Sequence, residues 1–308
     1  EYVITYSATN SLGTTYFEVT VIVREKPDGP DYTLYDGYYS LLEGLTGTAL
    51  KTQLQNIITT FENSNNPNYT VSYDSANNHL QAADKDLSNP NNIILIYNGN
   101  SIKAPWDSGS TWNKEHVWAK SLLTFPGGGE AGTKTNGPGA DLHNLRACNP
   151  SINSTRGNKE FAAGSGSYGS SGTGWYPGDN HIGDVARIIL YMNLRWGDSL
   201  ANISKIGSLN LFLQWHLADP VDAFEINRNQ QIHTLQGNRN PFIDYPELVT
   251  MIWGSPNKKS YSNFYNEFNV IMTQVEEEST LSINYDVLNT YSNLKVTYYQ
   301  ISKESFYN

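Results

Sequence analysis

Trp112-Asn113-Lys114-Glu115-His116-Val117-Trp118 sets a carboxylate directly beside an imidazole. The carboxylate offers a hard oxygen ligand, and the imidazole can accept a proton near neutral pH. Neighbouring side chains of an extended strand point to opposite faces, so both serve one site only where the strand ends or is distorted. Taken alone, such a pair reads as a solvated surface pair, and the segments downstream change that reading. Asp141-Leu142-His143-Asn144-Leu145-Arg146 alternates like a second strand, and Cys148-Asn149-Pro150 reads as a turn. Residues 151–158 then read as a polar helix kept short by Gly157. Strand, loop, strand and short helix, with Glu-His on the first strand and Asn153 on the helix, is the plan of a metal site. A carboxylate with an amide carbonyl suits Mg²⁺, which keeps several waters and also binds phosphate.

Working outward, residues 2–23 alternate in two halves around Asn10-Ser11-Leu12-Gly13, the pattern of a β-hairpin. Two strands alone are barely stable, so this piece belongs to something larger. Residues 26–31 are a linker by composition. Helices are expected over 41–64, 185–194 and 209–218, and a short buried strand over 93–97. Residues 126–140 and 164–174 are Gly-rich loops, and 276–308 turn Tyr-rich after three Glu. The resulting plan is a partial β segment at 1–25, a linker at 26–34, a main domain at 35–275, and a tail or further module at 276–308. Glu1 lies inside a strand pattern with no Met start, so the chain reads as a piece of a longer polypeptide, monomeric within it.

The single cysteine, Cys148, excludes an intramolecular disulfide and any Cys-based zinc site. No apolar run approaches the ~20 residues of a membrane helix. The net charge of -10 argues at first against a polyanionic substrate. Its distribution removes the objection, because residues 101–160 carry a local net of +2 and residues 1–36 a net of -4.

The segments Asn113–Trp118, Asp141–Arg146 and Asn153–Asn158 together resemble the signature of the bacterial endonuclease I family. Gly183-Asp184-Val185-Ala186-Arg187 and Gln236-Gly237-Asn238-Arg239-Asn240-Pro241-Phe242-Ile243-Asp244 extend the likeness, in order, from about residue 35 to 270. It is nearer to the secreted, disulfide-free branch than to the periplasmic one. Residues 2–23 resemble the last strands of a bacterial immunoglobulin-like repeat.

The resemblance implies an α+β fold in which a ββα-metal centre is embedded in a largely helical domain, preceded by the hairpin. It implies a largely nonspecific endonuclease of DNA, RNA or both, leaving 5′-phosphate ends, secreted or cell-surface. His116 would be the general base, and Glu115 with Asn153 would hold one Mg²⁺, or Mn²⁺ or Ca²⁺ in its place. Relatives in the periplasmic branch carry an acid where Gly139 stands, and a phosphate-holding arginine with no certain counterpart here. Lys134, Arg156, Asn158 and Arg239 are the candidates to bind phosphate. His143 and Arg146 are expected to support the site, with Asp184 and Arg187 as a structural pair three residues apart on a helix.

Other signals carry less. Gly164-Ser165-Gly166-Ser167-Tyr168-Gly169 fits a dinucleotide fingerprint but lacks the strand-to-helix setting. Asp179, Asn180, His181 and Asp184 read as the start of a helix rather than a second metal site. The alternative to a nuclease is a non-catalytic adhesion or polymer-binding module, in which Glu115, His116 and Asn153 would lie far apart.

Overall fold

The computed structural model describes residues 2–10, 13–21, 30–60, 69–123, 137–197 and 203–256. Lys134 and residues 276–308 lie outside the described residues. The chain divides into two units, Pro27–Pro256 and the remainder. In the remainder, β1 (Tyr2–Asn10) pairs antiparallel with β2 (Gly13–Val21), and Asn10 stands opposite Gly13. That is the register the alternation predicts.

The larger unit is α+β, with helices around small antiparallel ribbons. Helix α1 spans Gly47–Thr59. It is shorter than the expected 41–64, because Gly44 and Gly47 adopt φ of 71° and 55° and Thr60 is already extended. After α2 (Ala76–Ala83), β3 (Asn92–Ile94) pairs with β4 (Ser101–Lys103). The strand expected over 93–97 therefore stops early, at a turn in which Tyr97 takes φ of 76°.

Next, β5 (Asn113–His116) pairs antiparallel with β6 (Leu145–Cys148), and α3 (Pro150–Arg156) follows at once. The second strand begins at Leu145 instead of Asp141. Asp141 starts a turn: its Oδ1 accepts from the His143 amide at 3.0 Å and its carbonyl from the Asn144 amide at 3.0 Å. The ribbon β7 (Gly169–Ser171) and β8 (Gly174–Tyr176) leads to α4 (Ile182–Arg195) and α5 (Leu209–Ala218). Then come α6 (Ala223–Gln236), α7 (Pro241–Asp244) and α8 (Leu248–Trp253).

Every residue of α4 is buried, which makes it the axis of the unit. Its Val185, Ile189, Leu190 and Tyr191 pack with Leu50 and Leu54 of α1 and Phe212 and Trp215 of α5. Each fully buried aliphatic side chain of this kind contributes roughly 1.5–3 kcal/mol. A second cluster joins Leu80 of α2, Ile93, Trp112, Leu145, Ala147 and Ile232 of α6. The β5–β6 ribbon lies between the two, with Leu145 and Ala147 in the second cluster and Val117, Trp118 and Cys148 in the first. Apolar packing on both sides holds a four-residue ribbon that would be unstable alone.

Candidate active site

Three local devices position the central residues. Asn149 caps α3, its Oδ1 accepting from the amides of Ser151 and Ile152 at 3.0 and 3.2 Å, with Pro150 following at the first helical position. This starts the helix so that Asn153 lies against β5. Its Nδ2 donates to Asn113 Oδ1 at 2.7 Å and to the Lys114 carbonyl at 3.1 Å. Beyond the strand, Asn144 bonds both ways with Trp118, accepting from its amide at 2.7 Å and donating to its carbonyl at 3.1 Å. The strand thus ends at His116 under tight control.

Glu115 is 2% exposed. Its Oε1 accepts from the Tyr97 hydroxyl at 2.7 Å and faces Arg156 Nη1 at 3.3 Å. Burial pushes the carboxyl up, and Arg156 and Tyr97 work against that push. Among the described residues no donor reaches Glu115 Oε2 or Asn153 Oδ1. Asn113 and Glu115 share a face of β5, and Asn153 packs on Asn113. Two bare oxygens, one anionic, therefore remain on the helix side of the strand.

His116 stands on the other face. Its Nε2 is 2.8 Å from the Gly139 carbonyl, which only accepts, so Nε2 carries the hydrogen and Nδ1 keeps its lone pair. Burial holds the imidazole down to about 4, so it is neutral at ordinary pH. The ring stacks on Tyr73, centroids 5.5 Å apart, and Lys114 Nζ lies 3.8 Å over the same tyrosine ring while donating to the Tyr73 carbonyl at 3.1 Å. At the position of Gly139 it is thus a backbone oxygen that holds the histidine ring.

The arginines look inward. Arg156 is 1% exposed and donates to the carbonyls of His116 at 3.1 Å, Gly157 at 3.1 Å and Val117 at 2.6 Å. Arg239 is held by Asp244 at 2.6 and 2.8 Å and by Gln230 at 2.7 Å. Both guanidinium groups are consumed by the fold, which corrects the expectation that they meet phosphate. Asn158 is exposed, bonded only to Ser121 at 3.4 Å. The expected Asp184–Arg187 pair is also replaced. Asp184 meets Arg146 at 3.2 Å and His181 at 3.4 Å, whereas Arg187 grips Glu225 at 2.6 and 2.7 Å. The reason is that α4 is buried all round, so these two side chains find partners on different elements.

His143 is buried, its Nε2 3.3 Å from the Asn238 carbonyl and its ring 4.3 Å from that of Tyr191. Tyr73, Tyr97 and Lys114 join the site without having been singled out from sequence. Tyrosines are too numerous for one to stand out, but Lys114 had a signal: it lies two residues before His116 on the same strand face. Glu115, His116 and Asn153 gather on one strand and the helix packed against it, so the arrangement that a non-catalytic module requires is not present.

A buried carboxylate with one undonated oxygen, an imidazole fixed in one tautomer and Asn153 packed against the same strand are groups that a hydrolytic site can use. The endonuclease I family model matches residues 46–247, and the chain belongs to that family. It is similar to the extracellular ribonuclease of Bacillus amyloliquefaciens, 38% identical over 263 residues that cover 78% of this chain and 85% of the relative. It is similar also to the extracellular ribonuclease of Bacillus subtilis, 38% identical over 244 residues covering 72% and 80%. A shorter match, 42% over 62 residues, joins it to an extracellular deoxyribonuclease of Aeromonas hydrophila, covering 20% of this chain and 26% of the relative. The chain is a hydrolytic nuclease, and nucleases of this family generally use divalent metals. No helix among the described residues is long and apolar enough to cross a membrane.

Proposed function

We propose that the chain is a divalent-metal-dependent, largely nonspecific endonuclease that hydrolyses DNA, RNA or both to 5′-phosphate ends, with β5, β6 and α3 as its ββα-metal centre. The observation that carries this reading is the pair of undonated oxygens, Glu115 Oε2 and Asn153 Oδ1, on one face of β5. No group of three His, Cys, Asp or Glu that could hold a metal occurs among the described residues. One carboxylate, one amide, waters and a substrate phosphate are a donor set that Mg²⁺ accepts, and Mn²⁺ or Ca²⁺ can take its place. Arg156 meets Glu115 at Oε1 only, and burial still pushes the carboxyl up, which fits an ion in front of the other oxygen. A bound ion would act as a Lewis acid on the phosphate, steadying charge on the leaving oxygen.

His116 accepts a proton from water at Nδ1 while the water oxygen bonds to phosphorus and the bond from phosphorus to O3′ breaks. The phosphate stays on the 5′ side, and O3′ leaves as an alkoxide that takes a proton from solvent water to become the 3′-hydroxyl. Because water attacks, no 2′-hydroxyl is required, and the chemistry excludes neither DNA nor RNA. Lys114, on the His116 face of β5 and in no ion pair among the described residues, supplies the cation beside the scissile phosphate that Arg156 and Arg239 do not. Lys134, which lies outside the described residues, and the exposed Asn158 are further contacts of the same kind.

The enzyme is assigned as a secreted or cell-surface bacterial protein, and the extracellular names of the Bacillus and Aeromonas relatives support secretion. The catalytic domain is assigned to 35–275, after an Ig-like piece at 1–25 and a linker at 26–34, with 276–308 as a tail or further module. Digestion of supercoiled plasmid and of RNA in Mg²⁺, Mn²⁺ or Ca²⁺, beside EDTA controls, tests the reading. Cleavage should vanish in EDTA and in His116→Ala. Full cleavage in EDTA removes the metal, and full cleavage by the variant removes the base.

A further inference from the structure

Beside the catalytic carboxylate lies a cavity of about 370 Å³ that the hydrolytic step does not use. Tyr97 is common to both: it lines the cavity, and its hydroxyl reaches Glu115 Oε1 at 2.7 Å. Its backbone takes φ of 76°, a left-handed conformation that a non-glycine residue pays for and that concentrates at functional sites. Gly178 closes the floor, where a Cβ would come within 3.2 Å of the Tyr168 amide nitrogen and 3.6 Å of the Tyr97 carbonyl.

The walls are chosen for a planar, uncharged ligand. His181 is 8% exposed, and its Nδ1 faces Asp184 Oδ2 at 3.4 Å. Asp184 is itself fixed by Arg146, so the imidazole is held at one end. Its Nε2 lies at the Gly99 wall of the cavity, 3.8 Å from where a Cβ there would stand, and has no hydrogen-bond partner among the described residues. Asn180 contributes an exposed amide, and the half-buried Asn98 another whose Oδ1 accepts from the Asn100 amide at 3.1 Å. The Tyr168 ring is 36% exposed and backed by buried Trp175, centroids 6.0 Å apart, which makes a rigid aromatic platform. Among the described residues no Lys or Arg lines the cavity, and Asp179 does, so a phosphate is repelled.

We infer that this cavity is a subsite for one unpaired nucleobase of the substrate strand, stacked on Tyr168 and hydrogen-bonded at its edge by His181 and Asn180. The inference rests on the reading of Glu115 as part of the phosphodiester-cleaving centre, one tyrosine side chain away. A base can enter only when it is out of a duplex, so the subsite favours single-stranded substrate.

The test is equilibrium binding in EDTA, which does not depend on cleavage. The probes are a fluorescein-labelled hexauridylate, an oligomer of the same length without bases, and a duplex DNA dodecamer. Tyr168→Ala should weaken hexauridylate binding roughly 5- to 100-fold, the size of one base–aromatic stack, and leave the other two probes unchanged. Tyr168→Phe, which keeps the stacking ring, should bind like the parent. Equal weakening on the abasic oligomer, or no change on hexauridylate, overturns the subsite. A parent chain that binds hexauridylate through Tyr168 yet cleaves nothing would keep the subsite and refute the catalytic reading.

Discussion

Asp141 and Glu115 are both buried carboxylates, and they are finished differently. Asp141 is saturated: Oδ2 takes Arg195 at 2.5 Å, Tyr191 at 3.1 Å and Trp196 Nε1 at 3.1 Å, while Oδ1 takes the His143 amide at 3.0 Å and Gln236 at 2.9 Å. Burial alone would raise its carboxyl, but Arg195, His143 and these donors outweigh it and hold the group below the usual range. Glu115 has one hydroxyl and one guanidinium, both on Oε1, and its carboxyl is pushed up. A carboxylate with every lone pair satisfied is part of the frame. One left with a bare oxygen is poised for something the fold does not supply.

The comparison can be broken most severely at Asp141. Asp141→Ala strands Arg195 in the interior and should cost about 3–5 kcal/mol in urea unfolding. A loss near zero would mean that saturation does not mark a structural carboxylate. Acid attacks the same frame. Burial holds His143 down to about 3 and His216 down to about 4. Both are neutral when folded but take a proton when unfolded below about pH 6.5, so stability is full above that pH and declines as pH falls toward the folded values. The decline should reach up to about 3 kcal/mol per histidine by pH 4, and Asp141 adds to it below its unfolded value near 4. Urea midpoints that stay flat from pH 7 to 4 would contradict this.

Glu115→Gln asks the opposite of the other carboxylate. Cleavage should fall by roughly 100-fold or more, while the urea midpoint moves far less than in Asp141→Ala. A variant that unfolds as readily as Asp141→Ala would place Glu115 in the frame. The smallest effect is expected at Lys114, where one phosphate contact is removed. Lys114→Met should lower the slope of log(kcat/KM) against log salt on single-stranded RNA by about 0.7, with Lys114→Arg restoring it. An unchanged slope would return Lys114 to packing on Tyr73.

Local chemistry was readable in order along the chain. The Glu-His pair, the short polar helix bearing Asn153 and the hydrophobic period of α4 and α5 each depend on residues a few positions apart, which a sequence displays directly; the Asn149 cap was read only as a turn. The start of β6 was misplaced because Asp141 bonds its own backbone into a turn, a competition that alternation does not record. Arg156 and Arg239 were misread for a related reason. A guanidinium in a polar stretch looks available for phosphate until the carbonyls of β5 or the Asp244 carboxylate are seen to occupy it.

The sequence by itself determined that the chain is an α+β nuclease of the endonuclease I family, and which strand and helix bear the groups of its candidate site. Only the tertiary structure decided what those groups do with their spare atoms. Gly139, 23 positions from His116, donates nothing and accepts one hydrogen, and that fixes which imidazole nitrogen is free. Tyr97 and Arg156 take one oxygen of Glu115 and leave the other. Such assignments depend on which polar atoms meet after burial, and the distances between them along the chain carry no trace of it.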